Sequence, residues 1–241
     1  MATPERRSDL AANYDSIIKQ VNETASGKQV KLVAVSKYKP VEDLKALYDH
    51  GVRDFGENYV QELLTKAETL PKDIRWHFIG GLQSGKCKDL SNNIPNLYAV
   101  HSIDSFKKVK KMNSTRKAAE GNPVNVFLQI NTSGESQKSG YSLGDQKELH
   151  ESIDYILNNK ECDKLNLLGL MTIGSFAESV AGVENKDFKA LTDLKKELDA
   201  KYNIDLDLSM GMSNDFIEAI RQGSSVVRVG SSIFGARPVK P

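Results

Sequence analysis

The chain carries two cysteines in 241 residues, Cys87 and Cys162. They stand far apart without metal-ligand spacing. That argues against a disulfide-stapled scaffold and a zinc module, and fits reduced, structural thiols in a cytosolic protein. Net charge is nearly absent: 33 basic residues face 32 acidic ones, for a formal +1. Global attraction to nucleic acid or to an anionic membrane is therefore excluded, and any bound anion must be held by a local site. No apolar run approaches the roughly 20 residues of a membrane span. The stretch from Met1 to Leu10 lacks the apolar core of a signal peptide, and Glu5 and Asp9 come early for a mitochondrial presequence. A cytoplasmic protein is expected, with a mitochondrial pool left open. There is no internal repeat, low-complexity tract or linker, so one domain over 1–241 is expected.

What is present is ordinary in bulk, 39% hydrophobic and 27% charged, but regular in order. Strand-like apolar runs occupy 31–37, 52–58, 74–80, 97–103, 124–131, 165–174, 205–211 and 226–230. Each gap between starts leaves room for a crossover helix. Helical patterns fill 104–120, 143–157 and 184–202, and a further helix at about 5–24 places Leu10, Tyr14 and Ile17 along one side. Eight such units predict a parallel (β/α)8 TIM barrel, 31–238, preceded by a helical extension, 1–30. A doubly wound open sheet is the rival; the even placement favours closure.

In a barrel of this kind, function sits on the loops after the strands. The first strand ends in Ser36-Lys37. A lysine there is partly desolvated, which disfavours the ammonium and exposes the nucleophilic amine a Schiff base needs; the plainer alternative is a lysine that snorkels out of the strand end. After the seventh strand, Leu208-Ser209-Met210-Gly211-Met212-Ser213-Asn214-Asp215 leads into a helix over 215–222, with Ser213 as its expected N-cap. Val229-Gly230-Ser231-Ser232 follows the eighth. Small residues let backbone N–H groups approach an anion, so these two neighbouring ends predict a phosphate cradle. Arg228, inside the apolar run Val226-Val227-Arg228-Val229, must find a partner: an ion pair, or a ligand atom over the barrel mouth. An amine, a phosphate cradle and a cation between them outline a phosphorylated aldehyde. Pyridoxal phosphate fits all three.

The runs Val33-Ala34-Val35-Ser36-Lys37-Tyr38-Lys39-Pro40, Phe55-Gly56-Glu57-Asn58-Tyr59-Val60-Gln61-Glu62 and Trp76-His77-Phe78-Ile79-Gly80 resemble the pyridoxal phosphate homeostasis proteins. So do Gly169-Leu170-Met171, Leu208 to Ser213 and Arg228 to Arg237. The resemblance runs from about residue 8 to 238. It implies a barrel like the N-terminal domain of alanine racemases, with the cofactor covalently held at Lys37. Ser209, Ser213, Gly230 and Ser231 would hold the phosphate, Arg228 would face the pyridine nitrogen, and Asn58, His77 and Met210 would line the pocket. Three positions depart from the family pattern: Tyr38 and Ser231 where threonine is expected, and Gly85 where asparagine is. Ser231 keeps a hydroxyl; the Gly85 change puts any role of its loop in doubt.

Arg228 also bears on reactivity. A permanent cation beside the pyridine nitrogen opposes its protonation and makes the ring a poorer electron sink. The racemases take an opposing tyrosine from a second domain, which is not expected here, and Tyr59 and Tyr141 are the nearest substitutes. The leading expectation is a carrier that buffers pyridoxal phosphate and delivers it to apo-enzymes, sustaining vitamin B6 and amino-acid balance without robust catalysis, as a monomer. The alternative is a racemase-like enzyme of low activity; a third reading, a Schiff-base aldolase for a sugar phosphate, needs no cofactor. Lys107 to Lys111 with Arg116 and Lys117 form a basic helix face without interleaved aromatics, hence no nucleic-acid site. Ser136 to Gly140 lacks the Walker spacing but is placed to act as a pocket lid. His50, His101 and His150 are taken as ordinary histidines, and no metal site is expected.

Overall fold

Strands with one apolar face outward and a smaller, partly polar face inward build the centre of the computed structural model, which describes residues 1–236. Nine strands form one sheet: β1 (Lys31–Val35), β2 (Asp54–Glu57), β3 (Arg75–Phe78), β4 (Leu97–Ile103), β5 (Val124–Asn131), β6 (Tyr141–Ser142), β7 (Leu165–Met171), β8 (Asp207–Ser209) and β9 (Val226–Val229). Their order is β4-β3-β2-β1-β9-β8-β7-β5-β6, and β4 pairs with β5. That pairing closes eight parallel strands into a barrel, with β6 a two-residue addition beside β5. The expected barrel and N-terminal helix are both present. Arg237 and Pro238, counted in the expected barrel, lie outside the described residues.

Alternation sets the two cores. Leu32, Phe55, Trp76, Val100, Leu128, Leu170, Leu208 and Val227 face outward and bury under the helices in the main hydrophobic cluster. Each large side chain there contributes about 2 kcal/mol through burial. Val33, Ala99, Phe127, Met171 and Val226 face inward as a separate small cluster. The rest of the interior is polar. His77, His101, Ser209 and Arg228 are all at most 3% exposed, so each must be satisfied by another side chain or the backbone.

The helix Pro4–Ala25 starts at Thr3, whose hydroxyl accepts from Arg6 N–H, with proline in its first turn. It buries Leu10, Ile17, Val21 and Ala25, one stripe at helical spacing. Arg6 pairs with Asp43 at 2.7 Å and donates to Phe234 O at 2.8 Å, while Asn13 donates to Ile233 O at 3.0 Å. The N-terminal extension thus ties down the short helix Ser231–Phe234 that follows β9. Among the described residues no helix is long and apolar enough to cross a membrane.

Several expected boundaries overshoot. β1 stops at Val35, leaving Ser36 and Lys37 outside the ladder; β7 ends at Met171, and β8 has three residues. β6 and the short helix Phe176–Val180 were not expected; they occupy the two longest gaps between strands. Ser213 is not a helix N-cap. The helix is Phe216–Arg221 with Asp215 at its cap position, and the Asp215 carboxylate accepts from Met212 N–H at 2.7 Å. That leaves the Ser213 hydroxyl directed to the neighbouring loop, where it accepts from Ser232 N–H at 3.4 Å.

Candidate functional site

Lys37 sits half-buried in a turn two residues beyond β1. A buried polar cluster clamps that turn. Ser36 N–H donates to Gly56 O at 2.9 Å and its hydroxyl to Glu57 Oε1 at 2.8 Å. Lys66, from the helix after β2, donates to Ser36 O at 2.7 Å and pairs with Glu57 and Glu62. Tyr38 follows with φ 63, left-handed for a residue with a side chain. Its N–H is held by both oxygens of Glu62, at 3.0 and 2.9 Å, which offsets the strain. Burial pushes Glu57 up to about 7, against the pull of Lys66 and Ser36. None of Glu57, Glu62 and Lys66 was singled out from sequence, although Glu62 and Lys66 stand four apart on one helix face.

Lys37 opens into a cavity of about 550 Å³ at the C-terminal mouth of the barrel. Asn58, Ser213, Arg228, Gly230 and Ser231 line it too, so six expected site residues meet there. Asn58 comes from the end of β2, and Gly80 keeps it in place: a Cβ on Gly80 would lie 1.9 Å from Asn58 O. Asn58 Oδ1 is buried with no hydrogen-bond partner among the described residues. Gly230 passes so close to β1 that a Cβ would stand 3.2 Å from Val35 O. Two further lysines line the cavity. Lys39 Nζ donates to Ala236 O at 2.9 Å, and Lys138 Nζ donates to Gly174 O at 2.9 Å. Lys138 belongs to the segment expected as a lid, which does reach the rim. Gly85 lies in a short 3-10 turn, Ser84–Lys86, and is not among the lining residues.

Three expected residues sit elsewhere. Ser209 is fully buried inside the barrel, its hydroxyl taken by Arg228 Nη1 at 2.5 Å and His101 Nδ1 at 2.8 Å, not turned to the cavity. Its place inside β8 points it to the axis, whereas Ser213 lies in the loop beyond. His77 is buried beneath the cavity between His101 and Asp54, and lines a separate pocket at the opposite mouth. Met210 is fully buried in the outer core, because it alternates with Ser209. His101, taken as ordinary from sequence, lies on the barrel axis, stacked on Phe127 at 4.3 Å.

Arg228 has no carboxylate within ion-pair distance among the described residues. Its guanidinium donates to Ser209 Oγ and, through Nη2 at 3.0 Å, to Thr172 O. Burial lowers its pKa to about 10, opposed by the field of Asp215, so it stays cationic at neutral pH. Of the two partners anticipated for it, the ion pair is not formed. A buried cation that lines a cavity and is bonded only to neutral acceptors among the described residues is suited to an acceptor atom on a ligand.

The alanine racemase N-terminal domain family matches residues 8–238. A pyridoxal phosphate homeostasis protein of Schizosaccharomyces pombe is 47% identical over 233 residues, covering 97% of this chain and 95% of the relative. The chain belongs to the pyridoxal phosphate homeostasis protein family. The human member is 45% identical over 219 residues, 87% of this chain and 77% of the relative. PipY of Synechococcus elongatus, in a structure with pyridoxal phosphate bound, superposes with a TM-score of 0.75 at 28% identity, covering 94% of this chain and all of that one. Alanine racemase from Streptomyces coelicolor shares the fold: TM-score 0.73, 18% identity, 95% of this chain against 58% of the racemase. The motifs from Val33 to Pro40 and from Arg228 onward therefore identified the family correctly.

Proposed function

We propose that this chain binds pyridoxal phosphate through a Schiff base at Lys37 and acts as a carrier that buffers and hands on the cofactor. The observation that carries this reading is Arg228, a buried guanidinium without a carboxylate partner in the cavity that Lys37 shares. The remaining polar groups fit the same ligand. Asn58 Oδ1, an acceptor, is buried without a partner among the described residues, and the close approach of Gly230 to Val35 makes room for backbone beside an anion. Ser213, Gly230 and Ser231 would hold the phosphate, and Arg228 would donate to the ring nitrogen. Ser209 and His77 act from behind Arg228, and Met210 packs the wall. The cofactor, when bound, supplies the aldehyde that the Lys37 amine attacks. Lys39 and Lys138 at the rim add positive charge that favours an anionic ligand. The names of the relatives support a homeostasis role; apo-enzymes are the proposed recipients and a monomer the proposed form.

Weak turnover fits the cavity better than robust catalysis. Arg228 would oppose protonation of the ring nitrogen, and racemisation would need a second base opposite Lys37. Tyr141 is buried beside β5 with its hydroxyl 2.7 Å from Ser152. Tyr59 bonds Tyr38 at 2.6 Å near the surface. Neither lines the cavity.

The test is a spectral titration of purified protein with pyridoxal phosphate, beside Lys37→Ala. A saturable visible band in the wild type that is missing from the variant is expected. No band at any concentration would overturn cofactor binding. Racemisation of amino acids at ordinary enzyme rates would overturn the carrier role alone.

A further inference from the structure

A continuous file of buried polar groups crosses the barrel from the cavity to the opposite mouth. Arg228 Nη1 bonds Ser209 Oγ, Ser209 Oγ bonds His101 Nδ1 at 2.8 Å, His101 Nε2 bonds His77 Nδ1 at 2.9 Å, and His77 Nε2 bonds Asp54 Oδ1 at 2.9 Å. The five residues come from β9, β8, β4, β3 and β2. Asp54 also accepts from Arg75 at 3.0 and 2.7 Å and has Lys31 at 3.5 Å.

The two ends determine the direction. A guanidinium only donates and a carboxylate only accepts. Asp54 takes the His77 Nε2 proton, and Ser209, already accepting from Arg228, has its single proton placed when it points to His101 Nδ1. That nitrogen is therefore bare and the His101 proton is on Nε2, donated to His77 Nδ1. The His77 proton is in turn on Nε2 and goes to Asp54. Every proton in the file then has an acceptor, with both imidazoles neutral. An extra proton on His77 would reverse the two histidine bonds and leave Ser209 with two donors and its own proton unplaced. The surroundings oppose that proton: both rings are at most 1% exposed, with Lys31 and Arg75 at one end and Arg228 at the other. Burial and these cations hold both histidines below their ordinary values, although Asp54 pulls His77 the other way.

We infer that Ser209, His101 and His77 are positioning residues, forming a one-directional relay anchored on Asp54 that fixes the guanidinium of Arg228 in the cavity. Without the relay, Thr172 O would be the one remaining partner of the guanidinium among the described residues, and its plane would be free to turn. The relay stands on the protein alone; only its destination at the cofactor's ring nitrogen rests on the proposed function.

The experiment is nitrogen NMR on ligand-free protein labelled in histidine and arginine, wild type beside Ser209→Ala. Expected are neutral Nε2–H tautomers for both His77 and His101, unchanged between about pH 6 and about pH 8, and separate Nη signals from a guanidinium that does not rotate freely. Ser209→Ala should merge those Nη signals while the protein remains folded, and should weaken pyridoxal phosphate binding by about tenfold, the loss of one charge-assisted hydrogen bond's worth of orientation. An Nδ1–H tautomer or a ring that titrates in this range would overturn the relay. Correct tautomers with Nη signals unaffected by Ser209→Ala would overturn the positioning role. Wild-type protein that fails to bind pyridoxal phosphate would overturn the proposed function, and the ligand-free signals would still decide the relay.

Discussion

Two carboxylates on the four-residue strand β2 behave in opposite ways. Asp54 and Glu57 are both buried, at 8% and 0% exposure, yet Asp54 is held well below the usual carboxylate range and Glu57 is pushed up to about 7. Burial raises both. Asp54 overcomes it because His77 and Arg75 donate to its two oxygens and Lys31 stands close by. Glu57 receives Lys66 and Ser36 on the same oxygen, Oε1, while Oε2 has no partner among the described residues. What decides a buried carboxylate's charge is the number of donors spread over both oxygens. The difference also divides the labour: Asp54 anchors the file that holds Arg228, and Glu57 sits under the turn that holds Lys37.

The largest effect expected from breaking the comparison is at Asp54. Asp54→Ala leaves the buried His77 N–H without an acceptor and strips Arg75 and Lys31 of their shared anion. A loss of about 3 kcal/mol in urea unfolding is expected, toward the lower end for a broken buried pair because both cations reach water. The next effect is a pH dependence of opposite sign at the two residues. Glu57 binds its proton more tightly folded, at about 7, than unfolded, at roughly 4.3. Its contribution is therefore full below the unfolded value and is lost as pH rises toward 7. Asp54 is the reverse: its contribution is present above the unfolded value and lost as pH falls toward the folded one. Glu57→Gln should flatten the decline between about pH 5 and pH 7, gaining on the order of 2 kcal/mol over wild type across that interval. Urea midpoints taken at several pH values would show this, and parallel curves would contradict it. The smallest effect is at Ser36. Ser36→Ala removes one of the two donors to Glu57 and should cost about 1 kcal/mol, with a further rise in the Glu57 titration midpoint.

The same contrast explains what was legible in the sequence. The barrel showed through because each outward apolar face recurs with its strand, and Lys37, Asn58, Ser213, Arg228, Gly230 and Ser231 sit in short local motifs at or just beyond the strand ends that contain glycine or serine. The turn clamp was half legible, since Glu57 lies one residue from Asn58 and Glu62 and Lys66 follow on a single helix. The file was not legible at all. Its members come from five strands between residues 54 and 228, and no spacing in the chain brings His101 to Ser209, 108 positions away. Ser209 was read as a phosphate ligand because it shares a motif with Ser213, but strand alternation turns it to the axis. The strand ends were overestimated where the expected run continues past the last ladder bond, through apolar Ile173 after β7 and through Ser36 and Lys37 after β1, since side-chain pattern does not register where a backbone leaves the sheet.

The most direct measurement is peptide mapping by mass spectrometry after pyridoxal phosphate is added to the protein and reduced with borohydride. A stable pyridoxyl adduct on Lys37 is expected, with Lys39 and Lys138 unmodified at limiting cofactor. An adduct spread over surface lysines, or confined to a lysine other than Lys37, would contradict it.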